Sequence, residues 1–315
     1  MPLRPSSIPF LTFLLLASCA ACPPGEGDRL VLAAQGAPAS LALLGREAGP
    51  LPIVLAQANG AALPFVLDTG SNLTLLRPGA AASLGLPPDP GRATSITGVG
   101  GTSRLPNALL RHFQFGGRAF ENLSLPVAPG GEDSGRLAGI IGADLLRHGA
   151  LELDLPAGRV VLHDSRACMA APPPWPVVQE ELPVEVTPEG LVILTLRING
   201  RPARALLDTG AARSVLRQDR IADFGIPAAA LRAPAAGTIY GTGAETAAFH
   251  IREGITLQLG ERDRVTLPIV IAPLPPSLPV DLALGLDVLG HRRLWLSYAG
   301  GRLYVAPSSP SPARP

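Results

Sequence analysis

The sequence predicts an all-β protein made of two tandem, closed β-barrel lobes, each with one short helix. Three observations carry that prediction. Gly and Pro number 35 each in 315 residues, a density of punctuators that a long helical bundle does not tolerate and a turn-rich β protein does. The apolar stretches are short and bounded by turn residues, as strands are. The chain also repeats itself, with five blocks recurring in one order about 140 residues apart. A chain this long exceeds the size at which a single core keeps growing, which agrees with two lobes. With 8 Phe, 3 Tyr and 2 Trp, the core must rest on Val, Leu, Ile and Ala.

Taken in order, residues 1–22 read as an export signal. Arg4 precedes the apolar run Ile8 to Leu16, which is followed by small residues, and the run is too short to span a bilayer. Leu16-Ala17-Ser18-Cys19 resembles the bacterial lipoprotein signal, which implies lipidation at Cys19 and a place at the cell envelope or periplasm. Cleavage near Ala20 or Ala21, giving a soluble secreted protein, is the alternative. Residues 23–48 read as a linker, and the first lobe is expected over 49–164.

That lobe opens on a short apolar strand, Leu51 to Leu55, closed by the hairpin turn Asn59-Gly60. A second short strand runs into Asp68-Thr69-Gly70. Ile96-Thr97-Gly98-Val99-Gly100 forms a glycine-rich hairpin, and Ile141-Gly142 precedes a brief helical pattern. Leu151 to Leu155 alternate as a half-buried strand, followed by a Gly-Arg turn and a last strand at Val160–Leu162. Residues 165–178, with Pro172-Pro173-Pro174-Trp175-Pro176, read as a stiff extended linker. The second lobe, 179–306, repeats the plan: Leu191 to Leu196, Asn199-Gly200, Asp208-Thr209-Gly210, Ile239-Tyr240-Gly241-Thr242-Gly243, Leu284-Gly285, Leu294 to Tyr298 and Leu303–Val305. Residues 307–315 read as a disordered Pro/Ser tail.

One apolar-apolar-Asp-Thr-Gly segment is ordinary, a strand ending in a turn. Two copies, each trailed by a glycine-rich hairpin and an apolar-Gly segment, point to a pair of carboxylates. This combination resembles the retropepsin-like aspartic peptidases, with two such lobes fused in one chain, over most of residues 50–163 and 190–306. The resemblance implies an acid-protease fold with pseudo-two-fold symmetry and an aspartic endopeptidase activity. Asp68 and Asp208 would be the catalytic pair sharing a water, with like charges so close that one proton is held between them. By the same resemblance, Thr69 and Thr209 hydrogen-bond across to the opposite loop, and Gly70 and Gly210 allow close backbone approach. The hairpins Thr97–Gly100 and Tyr240–Gly243 would be flaps over the substrate. Ile141-Gly142 and Leu284-Gly285 would pack beneath the aspartate loops. The mechanism requires no metal, cofactor or acyl-enzyme.

The two copies differ at the residue after each motif, Ser71 against Ala211. A Ser71 hydroxyl bonded to Asp68 would favour its ionised form, making Asp68 the more acidic member. Asp144 and Asp287 each follow a glycine at a helix start and read as N-caps. His148 and His291, at the far ends of those helices, read as structural, a position where positive charge is favourable. Cys168 reads as a plain thiol.

Composition narrows the partners. The 26 basic residues are all Arg and are balanced by 25 acidic ones, with no basic block for nucleic acid or a membrane surface. The absence of Lys excludes Schiff-base chemistry. Expected partners are therefore a peptide or protein substrate, with membrane contact only through the N-terminal lipid, and a monomeric pseudo-dimer as the working form. Two other organisations remain open on sequence alone: a peptide-binding or envelope-protein-binding module without catalysis, and lobes that each form a separate homodimer.

Overall fold

The structure, a computed structural model, describes residues 28–29, 51–99, 101–116, 118–129, 137–154, 157, 159–163, 169–240 and 246–307. The N-terminal signal with Cys19, most of the 23–48 linker, Cys168 and the 308–315 tail lie outside the described residues.

Strand β1 (Asp28–Arg29) stands apart in sequence. The first lobe then contains β2 (Ile53–Ala58), β3 (Ala61–Leu67), β4 (Leu75–Leu76), β5 (Pro88–Gly98), β6 (Gly101–Phe115), β7 (Arg118–Pro126), β8 (Gly139–Ile141), β9 (Ala150–Asp154) and β10 (Arg159–His163). The second contains β11 (Glu180–Val186), β12 (Val192–Ile198), β13 (Arg201–Leu207), β14 (Val215–Arg217), β15 (Gly237–Tyr240), β16 (Thr246–Leu259), β17 (Asp263–Ala272), β18 (Leu282–Leu284), β19 (Arg292–Ser297) and β20 (Arg302–Pro307). Helix α1 (Pro78–Ser83) belongs to lobe one, while α2 (Ala143–Leu146) and α3 (Leu286–Leu289) are the repeated single turns. The protein is thus all-β in character, with two tandem lobes.

Each lobe opens on a tight hairpin, because Asn-Gly tolerates positive φ at both central positions. Asn59 and Gly60 have φ of 48° and 86°, and Asn199 and Gly200 have 50° and 83°. Each asparagine also accepts a backbone N–H from the neighbouring strand that closes the barrel, His112 N at 3.0 Å in lobe one and Thr256 N at 3.0 Å in lobe two. Local turn chemistry therefore fixes hairpin and barrel register together.

Both barrels close. In lobe two the ring runs β12-β13-β18-β14-β17-β16 and returns to β12 through Arg197↔Gln258 and Ile198↔Leu257. In lobe one β2-β3-β8-β4 continues to β7 through a single parallel bridge, Leu76↔Val127, and β7-β6 returns to β2. In each ring the strand ending at the aspartate lies parallel to the strand ending at Ile141 or Leu284. That pairing brings distant residues to the same end of the barrel.

The last two strands of each copy join in one sheet, ordered β1-β10-β9-β19-β20-β11. At its centre Leu151 pairs with Leu296, Leu153 with Leu294, and Glu152 with Trp295. Glu152 and Trp295 are equivalent positions of the repeat, so the pseudo-two-fold axis passes between them. These strands were expected to be half-buried, and they are buried on both faces. Glu152 is 3% exposed and Trp295 is fully buried. One face carries Leu151, Leu153, Leu294 and Leu296 into the main core. The other is covered by the Pro-rich segment, where Trp175 packs with Ala150, Trp295 and Tyr304. Arg293 lies over the Trp175 ring at 4.4 Å, and Ser297 Oγ donates to Met169 O at 2.6 Å.

Glu152 is the charged group at the axis. It accepts from His163 Nε2 at 3.0 Å, from Arg293 Nε and Nη2 at 2.9 and 2.7 Å, and from Arg159 Nη2. Burial alone would raise its carboxyl. The hydrogen bonds from His163 and Arg293 and the charge of Arg159 outweigh burial and hold it below the usual range. Since Arg159 comes from one lobe and Arg293 from the other, this carboxylate ties the halves together. Replacing Glu152 by Gln should destabilise the protein by about 3 kcal/mol at neutral pH, because two arginines lose their counter-charge. A depressed folded pKa means this contribution is present above the ordinary glutamate pKa and lost as pH falls below it. Chemical denaturation of both proteins from about pH 7 down to about pH 3 should show the gap closing at the acid end.

Candidate active site

Each aspartate ends a buried strand and begins a tight turn. Asp68 N donates to Ile141 O and Asp208 N to Leu284 O, both at 3.0 Å, which is how the residues beneath the loops position the carboxylates. One oxygen of each carboxylate is then occupied by its own turn. Asp68 Oδ1 accepts Gly70 N and Ser71 N at 2.9 and 3.1 Å, and Asp208 Oδ1 accepts Gly210 N and Ala211 N at 3.0 Å each.

The two turns face each other across the axis. Thr69 Oγ1 donates to Leu207 O at 2.7 Å and accepts Thr209 N at 3.1 Å. Thr209 Oγ1 donates to Leu67 O at 2.7 Å and accepts Thr69 N at 3.1 Å. Both threonines are fully buried. Four reciprocal bonds lock the loops together within one chain.

That locking presses each carboxylate against the opposite glycine. A Cβ on Gly70 would fall 2.5 Å from Asp208 Cγ, and one on Gly210 would fall 2.3 Å from Asp68 Cγ. Only glycine fits. Behind the loops, a Cβ on Gly142 would meet the Leu73 carbonyl at 2.5 Å, and one on Gly285 would meet Arg213 C at 2.5 Å.

The cross-loop contacts bring the two carboxylates close enough to perturb each other. Burial raises both, and for Asp208 the charge of Asp68 adds to burial and drives it well above the ordinary aspartate range. Two like charges this close disfavour full ionisation of the pair.

The geometry matches what the family comparison finds. The aspartyl protease family model matches residues 54–145 and again 194–288. The chain belongs to the aspartyl protease family. The two matches are the two copies of the repeat, each carrying one Asp-Thr-Gly loop. A comparison with the curated proteins finds no match.

In this aspartyl protease the expected asymmetry from Ser71 is absent. The Ser71 hydroxyl donates to Leu73 O at 2.8 Å, and only its backbone N–H reaches Asp68, as Ala211 N does for Asp208. The residue's own turn offers its hydroxyl a nearer carbonyl.

Asp144 and Asp287 are structural but are not N-caps. The caps are Gly142 and Gly285, with no side-chain bond, and the aspartates lie inside the first turn. Asp144 Oδ1 accepts Thr74 N and Oγ1 at 2.9 and 2.7 Å, and Asp287 Oδ1 accepts Ser214 N and Oγ at 2.9 and 2.7 Å. The hydroxyls accept Gly142 N and Gly285 N in turn, at 3.1 and 3.0 Å. Thr74 and Ser214 brace the aspartate loops and were missed from sequence. Their signal was available: both copies place a hydroxyl residue six positions after the aspartate. His148 differs from expectation too, since burial, Arg118 and Arg147 hold it below the usual histidine range.

The first glycine-rich hairpin, expected as a flap, is formed by β5 and β6, with Gly98 paired to Gly101 and the Thr97 and Thr102 hydroxyls 2.8 Å apart. Its tip residue Val99 reaches the other lobe and packs on Ile193, Leu206, Leu274 and Val280. Gly100 lies outside the described residues. In the second hairpin the register runs to Tyr240↔Thr246; the expected flap residues Gly241, Thr242 and Gly243 lie outside the described residues.

Under each hairpin sits an apolar cluster related by the repeat. Ile96 packs with Leu75, Leu105, Ala128 and Ile140, and Ile239 with Phe249, Val270, Ala272 and Val215. Lobe two adds a wall, the loop from Leu274 to Val280. Its prolines, Pro275, Pro276 and Pro279, lack N–H groups, so the loop has few donors of its own beyond Leu278 N to Pro275 O and Val280 N to Leu278 O. Arg217, 8% exposed, supplies the donors: Nε to Val280 O at 2.7 Å, Nη1 to Leu274 O at 3.1 Å, and Nη2 to Pro275 O and Leu278 O.

The cross-loop threonines make a direct test. Thr209→Val leaves the Leu67 carbonyl and the Thr69 N–H buried without partners, which should cost about 2–4 kcal/mol. Thr209→Ser keeps the hydroxyl and should recover most of that loss, read by thermal or denaturant unfolding.

Proposed function

We propose that this chain is an aspartic endopeptidase that hydrolyses peptide bonds with a water held between Asp68 and Asp208. The observation that supports this reading most is the pairing of two carboxylates, each with one oxygen fixed by backbone amides and each resting on the opposite glycine. In the reaction, the ionised aspartate accepts a proton from the water as its oxygen bonds to the peptide carbonyl carbon. The protonated aspartate donates to the carbonyl oxygen, giving a neutral gem-diol. Collapse breaks the C–N bond, the nitrogen taking the proton removed from water while the other carboxylate recovers its proton from a gem-diol hydroxyl. No bond to the protein forms, and the dyad ends as it began.

The substrate would lie as an extended strand under the hairpins, with side chains against the apolar clusters beneath Ile96 and Ile239. A single-chain pseudo-dimer is the working form in this reading, supported by the reciprocal Thr69–Thr209 bonds within one chain. The lobes would span 49–164 and 179–306, joined by 165–178. The chain would be exported and held at the bacterial cell envelope by a lipid on Cys19, the support being Leu16-Ala17-Ser18-Cys19.

Asp68→Asn and Asp208→Asn should each lower kcat by at least about 10³-fold, in protein that remains monomeric and is offered an unstructured peptide library. Cleavage surviving in either variant would point to separate homodimers, and binding without cleavage at any pH to a capture module. The same substitutions should stabilise the fold near neutral pH. A carboxyl whose folded pKa is raised brings no penalty below the ordinary aspartate pKa, about 3.9, and a growing one as pH rises through the folded value. The gain in Tm should therefore be absent at about pH 3 and largest at neutral pH.

The kcat/KM profile should be bell-shaped, since one proton must be present and one absent. Ser71→Ala should leave both limbs in place, because that hydroxyl is bonded to Leu73 O and not to Asp68.

A further inference from the structure

Lobe one carries a cavity of about 420 Å³ that lobe two does not reproduce chemically. Its floor begins at Leu73 and Thr74, five and six residues beyond Asp68, and its far wall is the stem of the first glycine-rich hairpin. The cavity lies between the segment that follows the aspartate loop and the stem of the hairpin, and all of its lining comes from lobe one.

The polar groups of its lining fall into two kinds. One kind is internally satisfied. Asn107, 5% exposed, accepts Thr94 Oγ1 at 2.9 Å and donates to Ser124 Oγ at 3.0 Å, and Ser124 donates onward to Asp89 Oδ2 at 2.7 Å. Asp144 is committed to Thr74. The other kind is cationic and uncommitted. Arg104 has no ion pair or hydrogen bond among the described residues. Arg92 has only a 4.0 Å approach to Asp89, with its side chain 72% exposed. The carboxylates nearby are thus bonded within the lining, while Arg104 has no partner among the described residues and Arg92 has only its long approach to Asp89.

The repeat supplies an internal comparison. In the first hairpin Ser95 pairs with Arg104; the equivalent pair in the second is Thr238 with Ala248. Ala235 stands where the repeat places Arg92. The barrel needs no arginine at either place, since lobe two folds without them.

The geometry points to a carboxylate-binding subsite in lobe one, with Arg104 and Arg92 pairing an acidic side chain, or the free C-terminal carboxylate, of a bound peptide. Guanidinium matches carboxylate in a two-pronged geometry that a neutral amide does not reproduce. Because the subsite exists in one lobe only, the preference falls on one side of the scissile bond. This inference rests on the peptidase reading for its substrate and not for its chemistry.

The test uses the whole protein and one cleavable peptide in which Glu and Gln are exchanged at each of four positions on either side of the scissile bond. Each peptide is made with a free and an amidated C-terminus, to separate the two sources of carboxylate. The expected result is a preference of about tenfold in kcat/KM for Glu, or for the free terminus, at positions on one side only, carried by KM and weakened by added salt. The double variant Arg92→Ala with Arg104→Ala should erase the preference, and Arg104→Glu should turn it from Glu toward Gln. Equal rates at every position, or a preference that survives the double variant, would overturn the subsite. If no peptide is cleaved, the peptidase reading has failed separately. Fluorescence-anisotropy binding of the same peptides to the Asp68→Asn protein then decides the subsite: tighter binding of one-sided Glu or free-terminus peptides supports it, and equal affinities overturn it.

Discussion

Two carboxylates that share a proton repel each other once both ionise, and burial makes that repulsion stronger. Everything at the centre of this protein follows from holding them together regardless. The reciprocal Thr69–Thr209 bonds do so with four contacts in a fully buried plane, drawing the two turns close enough that each carboxylate rests on the opposite glycine. The loops cannot separate without orphaning buried amides and carbonyls. The strain of the dyad is thus carried by neutral hydrogen bonds, which do not change with pH, and not by counter-charges that would neutralise it.

The same symmetry axis is secured a second time in the shared sheet. There the problem is inverted. Glu152 is a single buried carboxylate, and it is surrounded by donors from both lobes, so its charge is stabilised. Opposite solutions thus stand on one axis. At the dyad no such counter-charge offsets burial, and both carboxyls are raised. At the sheet it supplies positive charge, making the carboxylate a permanent tie. The Trp175 segment covers the outer face of that sheet, so the chain connecting the lobes is part of the packing that joins them.

Around this symmetrical frame the walls of the cleft diverge. Backbone constraints require the same residue types in both lobes: glycine against carboxylate, hydroxyl against the loop brace, leucine in the shared sheet. Side chains facing the cleft have no such constraint. Lobe two has a proline-rich loop to whose carbonyls Arg217 donates, and lobe one has a polar cavity edged by Arg92 and Arg104. The repeat keeps what the dyad needs and varies what a substrate would meet.

Much of this was legible in the residues. The recurrence of Asp-Thr-Gly, the glycine-rich hairpins and the apolar-Gly segments specified two β lobes and singled out Asp68 and Asp208, because turn and strand chemistry is local and repeats when the fold repeats. The Asn-Gly hairpins were legible for the same reason. What failed from sequence were directions and partners. Ser71 was expected to serve Asp68, but its hydroxyl turns to a carbonyl two residues on. Asp144 and Asp287 had the sequence of a cap and act instead as braces to Thr74 and Ser214, some 70 residues away. Leu151 to Asp154 read as a half-buried strand and are buried on both faces, since the covering elements come from the other lobe and from the connecting segment. The sequence by itself determined the β lobes, their repeat and which carboxylates recur. Only the tertiary structure decided that those carboxylates meet, which hydrogen bonds hold them and where the lobes differ. Contacts across 140 residues depend on how whole barrels close and pack, and no local pattern encodes that.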